Sequence, residues 1–126
     1  MAGVVIEGIH HVSVLVRDTS HALEFYRDIL GLAVDHGRPE LAYAGAFLNL
    51  GDGRQIHLIE LPNPDPVDGR PAHGGRDRHT ALHVRDLEQL IGRLEAAGMT
   101  YTLSSSGRRA LFCRDFDGNA YEFVEN

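Results

Sequence analysis

A histidine-led segment occurs twice in this chain, and the duplication limits what the chain can fold into more than any other feature. The first copy reads His11-Val-Ser-Val-Leu-Val-Arg17-Asp18 and the second His79-Thr-Ala-Leu-His-Val-Arg85-Asp86. In each, an alternating apolar run follows the histidine, and Val-Arg-Asp closes it at the same offset. An amphipathic helical pattern comes next in both, from Asp18 to Gly31-Leu32 and from Asp86 to Gly98-Met99. Each half then ends in an Asp-Gly turn with a potential metal ligand four residues beyond its glycine: Asp52-Gly53 leads to His57, and Asp117-Gly118 to Glu122.

The local patterns fill in the rest of each copy. Residues 8–16 alternate with period two and are rich in β-branched side chains, which predicts a strand. Asp18-Thr19-Ser20 supplies N-cap chemistry for a helix over about 19–30, with Ala22, Leu23, Phe25, Tyr26, Ile29 and Leu30 as its apolar face and Gly31 at its C-cap. A weak strand follows near 32–36, then strands at about 43–50 and 54–61 joined by the tight turn Gly51-Asp52-Gly53. Residues 62–77 carry four of the five prolines and read as a linker, since proline suits neither a helix interior nor a central strand. The second copy repeats the order, with a strand at 78–84, a helix at about 86–97 and strands near 99–104, 109–114 and 119–124. The expected fold is α+β: two tandem βαβββ modules, about 8–61 and 78–125, forming one domain over residues 1–126 with a curved eight-stranded sheet around a metal cleft.

A chain of 126 residues suits one domain with a sizeable core better than two. The formal net charge of −6 argues against a general nucleic-acid binder. No apolar run approaches a membrane span, and the first ten residues, MAGVVIEGIH, lack a basic segment followed by a long apolar one. The single Cys113 has no internal disulfide partner, which fits a cytoplasmic protein. Eight histidines are several times the usual number for this length, and they are dispersed rather than clustered as a tag.

Parity selects among those histidines. Side chains alternate faces along a strand, so His11 shares a face with Ser13 and Leu15, while His10 points the other way. His79 shares a face with Ala81 and His83. Aligning the two Asp-Gly turns puts His57 opposite Glu122, and Glu60 opposite Glu125. Four residues then converge: His11 and His57 from the first module, His79 and Glu122 from the second. Imidazole nitrogen and carboxylate oxygen suit a divalent transition metal such as zinc, nickel, iron, manganese or cobalt. His10, His36 and His83 read more simply as surface or strand-face residues, His21 as a solvated residue in the first turn of a helix, and Cys113 as a buried small one.

Taken together, His11 to Asp18, the helix end Glu24-Phe25-Tyr26-Arg27-Asp28-Ile29-Leu30-Gly31-Leu32, His79 to Asp86, and Asp115-Phe-Asp-Gly-Asn-Ala-Tyr-Glu122-Phe123 resemble the vicinal oxygen chelate superfamily. That group contains glyoxalase I, extradiol dioxygenases, methylmalonyl-CoA epimerase, and fosfomycin- and bleomycin-resistance proteins. The resemblance implies His11, His79 and Glu122 as metal ligands. It places His57 in a slot that usually holds Glu or Gln in glyoxalases and epimerases. It also implies a metal-dependent lyase or isomerase acting on a small oxygen-rich substrate, with Glu122 as the base that moves a proton. The alternatives it allows are an iron(II) extradiol-type dioxygenase, which would use the two-histidine, one-carboxylate subset, and a sequestering resistance protein. Residues 62–77 are long enough for the two modules to pair within one chain or across a dimer; glyoxalase-like relatives pair the first module of one chain with the second of its partner, so the resemblance implies a homodimer with sites built from both chains. Phe116 stands where the family commonly has proline and is expected only to alter a turn.

Arg76 and Arg78, just before the His79 strand, are candidates to hold an anionic group of the substrate. They belong to a basic stretch with Arg70 and His73 that reads either as a substrate-facing lid or as a solvated linker. Arg108-Arg109 reads as a charged turn.

Overall fold

The computed structural model describes residues 3–126; Met1 and Ala2, at the start of the segment read for a leader, lie outside the described residues. Eight strands divide equally between two sheets. β1 (His11–Leu15), β2 (Ala33–Val34), β3 (Gly45–Asn49) and β4 (Gln55–Ile59) form the first, in the order β1-β4-β3-β2. β5 (His79–Val84), β6 (Thr102–Leu103), β7 (Ala110–Arg114) and β8 (Ala120–Glu125) form the second, in the order β5-β8-β7-β6. The two topologies are identical, as the sequence repeat requires. In each, the first strand pairs in parallel with the last, and the remaining pairs are antiparallel. β1 begins at His11 rather than at Gly8 because its partner β4 begins at Gln55, directly across from His11.

Each sheet turns one face to the core cluster; the opposite face is half-buried in the first sheet, and in the second it is itself buried, at Ala110, Phe112, Ala120 and Glu122. In the first, Val12 and Val14 share the inner face with Ala46, Leu48, Ile56 and Leu58, all in the core cluster. In the second, Leu111, Cys113, Tyr121 and Phe123 do the same. A helix covers each inner face: α1 starts at Thr19, and α2 spans Leu87–Ala96. Asp18 caps α1 by accepting from the His21 N–H, and Asp86 caps α2 by accepting from the Gln89 N–H. Glu60, just after β4, and Glu125, the last residue of β8, accept the N–H of the first helical residue, Thr19 or Leu87. Their parity opposite to His57 and Glu122 thus has a use, in satisfying helix-start donors.

The helices differ in one respect. α2 is regular, with Leu87, Leu90 and Leu94 buried at helical spacing. α1 is α-helical only over Thr19–Leu23 and continues as a π-helical turn over Glu24–Ile29, where a regular helix was expected to about residue 30. Here the N–H of Leu30 bonds the carbonyl of Phe25. The wider turn suits burial of two adjacent aromatics, Phe25 and Tyr26, both fully inaccessible.

Tyr26 is the tie between modules. Its hydroxyl donates to Asp115 Oδ2 at 2.5 Å and lies 2.8 Å from the Tyr121 hydroxyl. Asp115 also accepts from the backbone N–H groups of Asp117 and Asn119 and from the Asn119 side chain. The same turn reaches the end of β1: Asp117 accepts from the Arg17 N–H, and Asn119 donates to the Leu15 carbonyl. Phe116 does more than alter the turn, since its ring stacks on His21 at 4.4 Å and meets Phe25 edge-on. Burial pushes the Asp115 carboxyl upward, against the pull of the Tyr26 and Asn119 hydrogen bonds. Tyr26→Phe removes one buried donor from this cluster and is expected to cost about 1–3 kcal/mol, read as a lower urea midpoint with an unchanged slope.

Candidate metal centre

The face of each sheet turned away from the core cluster carries the candidate ligands in matching positions. His57 pairs across from Ser13, two residues beyond His11, and Glu122 pairs across from Ala81, two residues beyond His79. On their other sides, His57 faces Phe47 and Glu122 faces Phe112. The correspondence that the Asp-Gly turns predict therefore appears in the strand register itself.

In the first sheet His57 is clamped between two rings. It stacks on Phe47 at 3.6 Å and on His11 at 4.0 Å between centroids. The Arg38 guanidinium covers the Phe47 ring at 5.7 Å. His57 Nε2 lies 2.9 Å from the Gln55 carbonyl oxygen, and the Gln55 amide donates to Asp35 and Asn49. That orientation makes Gln55 the acceptor, so His57 carries its proton on Nε2 and leaves the Nδ1 lone pair free. His11 Nδ1 lies 2.8 Å from His10 Nδ1.

In the second sheet the side chain of Glu122 is 4% exposed. One oxygen lies 3.4 Å from His79 Nε2, and the other accepts from Arg108 at 2.6 Å. His79 Nδ1 is 2.9 Å from the Asp77 carbonyl. A carbonyl only accepts, so His79 Nδ1 carries a proton, and Nε2 is the nitrogen turned toward Glu122. Imidazoles oriented through one nitrogen by a carbonyl-type acceptor are arranged as metal-ligating histidines usually are. The donor set, imidazole nitrogens and one carboxylate, is of the kind that suits a divalent cation.

The four residues stand as two pairs rather than one cluster. Among the described residues of one chain, no three His, Cys, Asp or Glu side chains gather as a metal site. A groove of about 1420 Å³ runs along β5 and reaches β1, and both His11 and His79 border it.

Arg78 pairs with Asp65 at 2.8 Å, and Arg76 is exposed in the short 3₁₀ turn Gly74–Arg76. Arg70 and Arg114 clamp Asp77, which lies between them, and their hydrogen bonds hold its carboxyl well below the usual range. That clamp fixes the linker just ahead of His79. Gly74 packs against Ala120 and Phe112, where a Cβ would come within 3.4 Å of each. The cation at the candidate ligands is instead Arg108. As the sequence suggests, Arg108 lies in the turn between β6 and β7, outside either strand.

Residues 8–123 match the family model of the Glyoxalase/Bleomycin resistance protein/Dioxygenase superfamily. The chain belongs to this family. It is 32% identical over 97 residues to Glyoxylase I 4 of Arabidopsis thaliana, covering 76% of this chain and 55% of the plant protein. It is 29% identical over 126 residues to the Vibrio cholerae protein named "Probable lactoylglutathione lyase", covering 94% and 90% of the two chains. Its fold superposes with a TM-score of 0.74 on the fosfomycin resistance protein FosX of Listeria monocytogenes, solved with Mn(II) and 1S,2S-dihydroxypropylphosphonic acid. That match has 18% identity and covers 97% of this chain and 94% of FosX. Among the described residues no helix is long and apolar enough to cross a membrane.

Burial, and then the neighbouring His11, His10 and Arg38, lower the His57 pKa below its ordinary 6.5. The folded chain therefore resists protonation there, and the stability this gives is lost as pH falls through the ordinary histidine range. Histidine NMR titration is expected to place the His57 midpoint below 6.5, and to move it upward in His11→Ala.

Proposed function

We propose that the chain is a metal-dependent enzyme of the glyoxalase type, carrying out lyase or isomerase chemistry on a small oxygen-rich substrate. The observation that carries this reading is the duplicated register: His11 with His57, and His79 with Glu122, in identical places on equivalent faces of the two sheets. A divalent metal bound there would act as a Lewis acid on substrate oxygens. His11, His57, His79 and Glu122 would hold it, with His57 oriented by the Gln55 side chain and His79 by the Asp77 carbonyl. Glu122 is the proposed base, a carboxylate beside the metal that would take up and return a proton. The lyase named among the relatives favours this chemistry. The subset His11, His79 and Glu122 also suits iron(II), and oxygen uptake with a catechol would identify that chemistry instead.

Each chain holds two half-sites, and a complete centre needs one of each kind. A homodimer in which the first module of one copy faces the second module of the other supplies both, twice over. Mixing His11→Ala chains with Glu122→Ala chains tests site and assembly together. If centres cross chains, the mixed dimer regains one intact centre and about half the native metal stoichiometry at best. Self-contained centres would regain none, and an unimpaired metal stoichiometry in either variant alone would remove these residues from the centre.

A further inference from the structure

Arg108 occupies a position that the proposed chemistry has not yet used. It lies on the loop between β6 and β7, after Gly107 with its φ of +85°, and its side chain is 57% exposed. From there its guanidinium reaches Glu122, whose side chain is 4% exposed. One carboxylate thus has His79 on one oxygen and Arg108 on the other. A buried carboxylate gains from this pairing, because an uncompensated buried charge is costly.

The pairing changes meaning once Glu122 holds a divalent cation, an argument that rests on the metal-centre reading above. Two like charges would then flank the same carboxylate in a site sheltered from solvent, where their repulsion is weakly screened. Two arrangements relieve it. The guanidinium can swing out on its exposed loop, or an oxyanion can sit between it and the metal. The second keeps the planar fork of arginine satisfied by the partner it matches best, a carboxylate or phosphate-type group. Neither Arg76 nor Arg78 reaches Glu122 with a hydrogen bond among the described residues, and Arg78 already has Asp65.

We propose that Arg108 is the specificity-determining residue of this site. It competes for Glu122 when the metal is absent, and it selects a substrate bearing an anionic oxygen when the metal is bound. Metal and oxyanion then bind cooperatively, each strengthening the other by the same factor. The substrate class is an organic acid or an organophosphorus acid, and the two are separated by the probe that works.

The test is manganese(II) titration of the full chain, followed by electron paramagnetic resonance, with chloride alone, with inorganic phosphate or with acetate. One of the two oxyanions is expected to tighten manganese binding by about tenfold in the native chain, within the usual range of coupling between sites. Arg108→Ala should bind manganese more tightly than the native chain in chloride, and its response to the oxyanion should fall to within about twofold. Arg108→Lys keeps the charge without the fork and should show an intermediate response. Phosphate as the active probe assigns an organophosphorus acid, and acetate a carboxylic acid. Manganese binding that ignores both oxyanions, or a response that survives intact in Arg108→Ala, overturns the role of Arg108 and leaves the metal centre standing. A native chain that binds no manganese under any condition overturns both.

Discussion

In each module the first strand pairs in parallel with the last, and a parallel pair cannot be closed by a tight turn. A helix and two further strands must therefore come between them, which accounts for the βαβββ order. The same pairing sets the chemistry of the face that carries the candidate ligands. Because faces alternate strictly, a slip of one residue between β1 and β4, or between β5 and β8, would send His57 or Glu122 into the core. The helix-start bonds from Glu60 and Glu125 hold that register from the far end. Each last strand thus gives one side chain to that face, and the carboxylate at or just after its end to a helix cap.

The modules are alike but not equivalent, and the differences lie where they meet. Tyr26 on the π-helical turn, Tyr121 on β8 and the Asp115 turn share one buried hydrogen-bonded cluster. This cluster, with the bonds from Asp117 and Asn119 to the end of β1, fixes the second module against the first. The linker is fixed separately, by Asp77 between Arg70 and Arg114. The Asp77 backbone carbonyl orients His79, so the charge clamp and the histidine orientation are linked within two residues. Gln55 does the same for His57 through a side chain.

Much of this was legible in the sequence because it follows from periodicity. The repeat showed two copies of one unit, and parity picked His11, His57, His79 and Glu122 out of eight histidines and many carboxylates. The π-helical turn was not legible, since Phe25 and Tyr26 fit an ordinary helical face until their contacts with the other module are known. Nor was the division of the four ligand candidates into two pairs, because the placing of one sheet against the other depends on tertiary contacts between Tyr26 and Asp115, 89 residues apart. Arg76 and Arg78 drew attention by standing next to His79 in sequence. Arg108 does not stand next to any candidate ligand, and only the antiparallel register of β7 with β8 brings it to Glu122.

The central claim is that two half-sites on equivalent sheet faces make one metal centre. Anomalous diffraction from crystals of the zinc-loaded protein, collected across the zinc absorption edge, tests it most directly. The account predicts one strong peak per chain, about 2.0–2.2 Å from the ligating atoms of His11, His57, His79 and Glu122. A peak at His10 or His36, or zinc held by one pair while the other faces away from it, would contradict it.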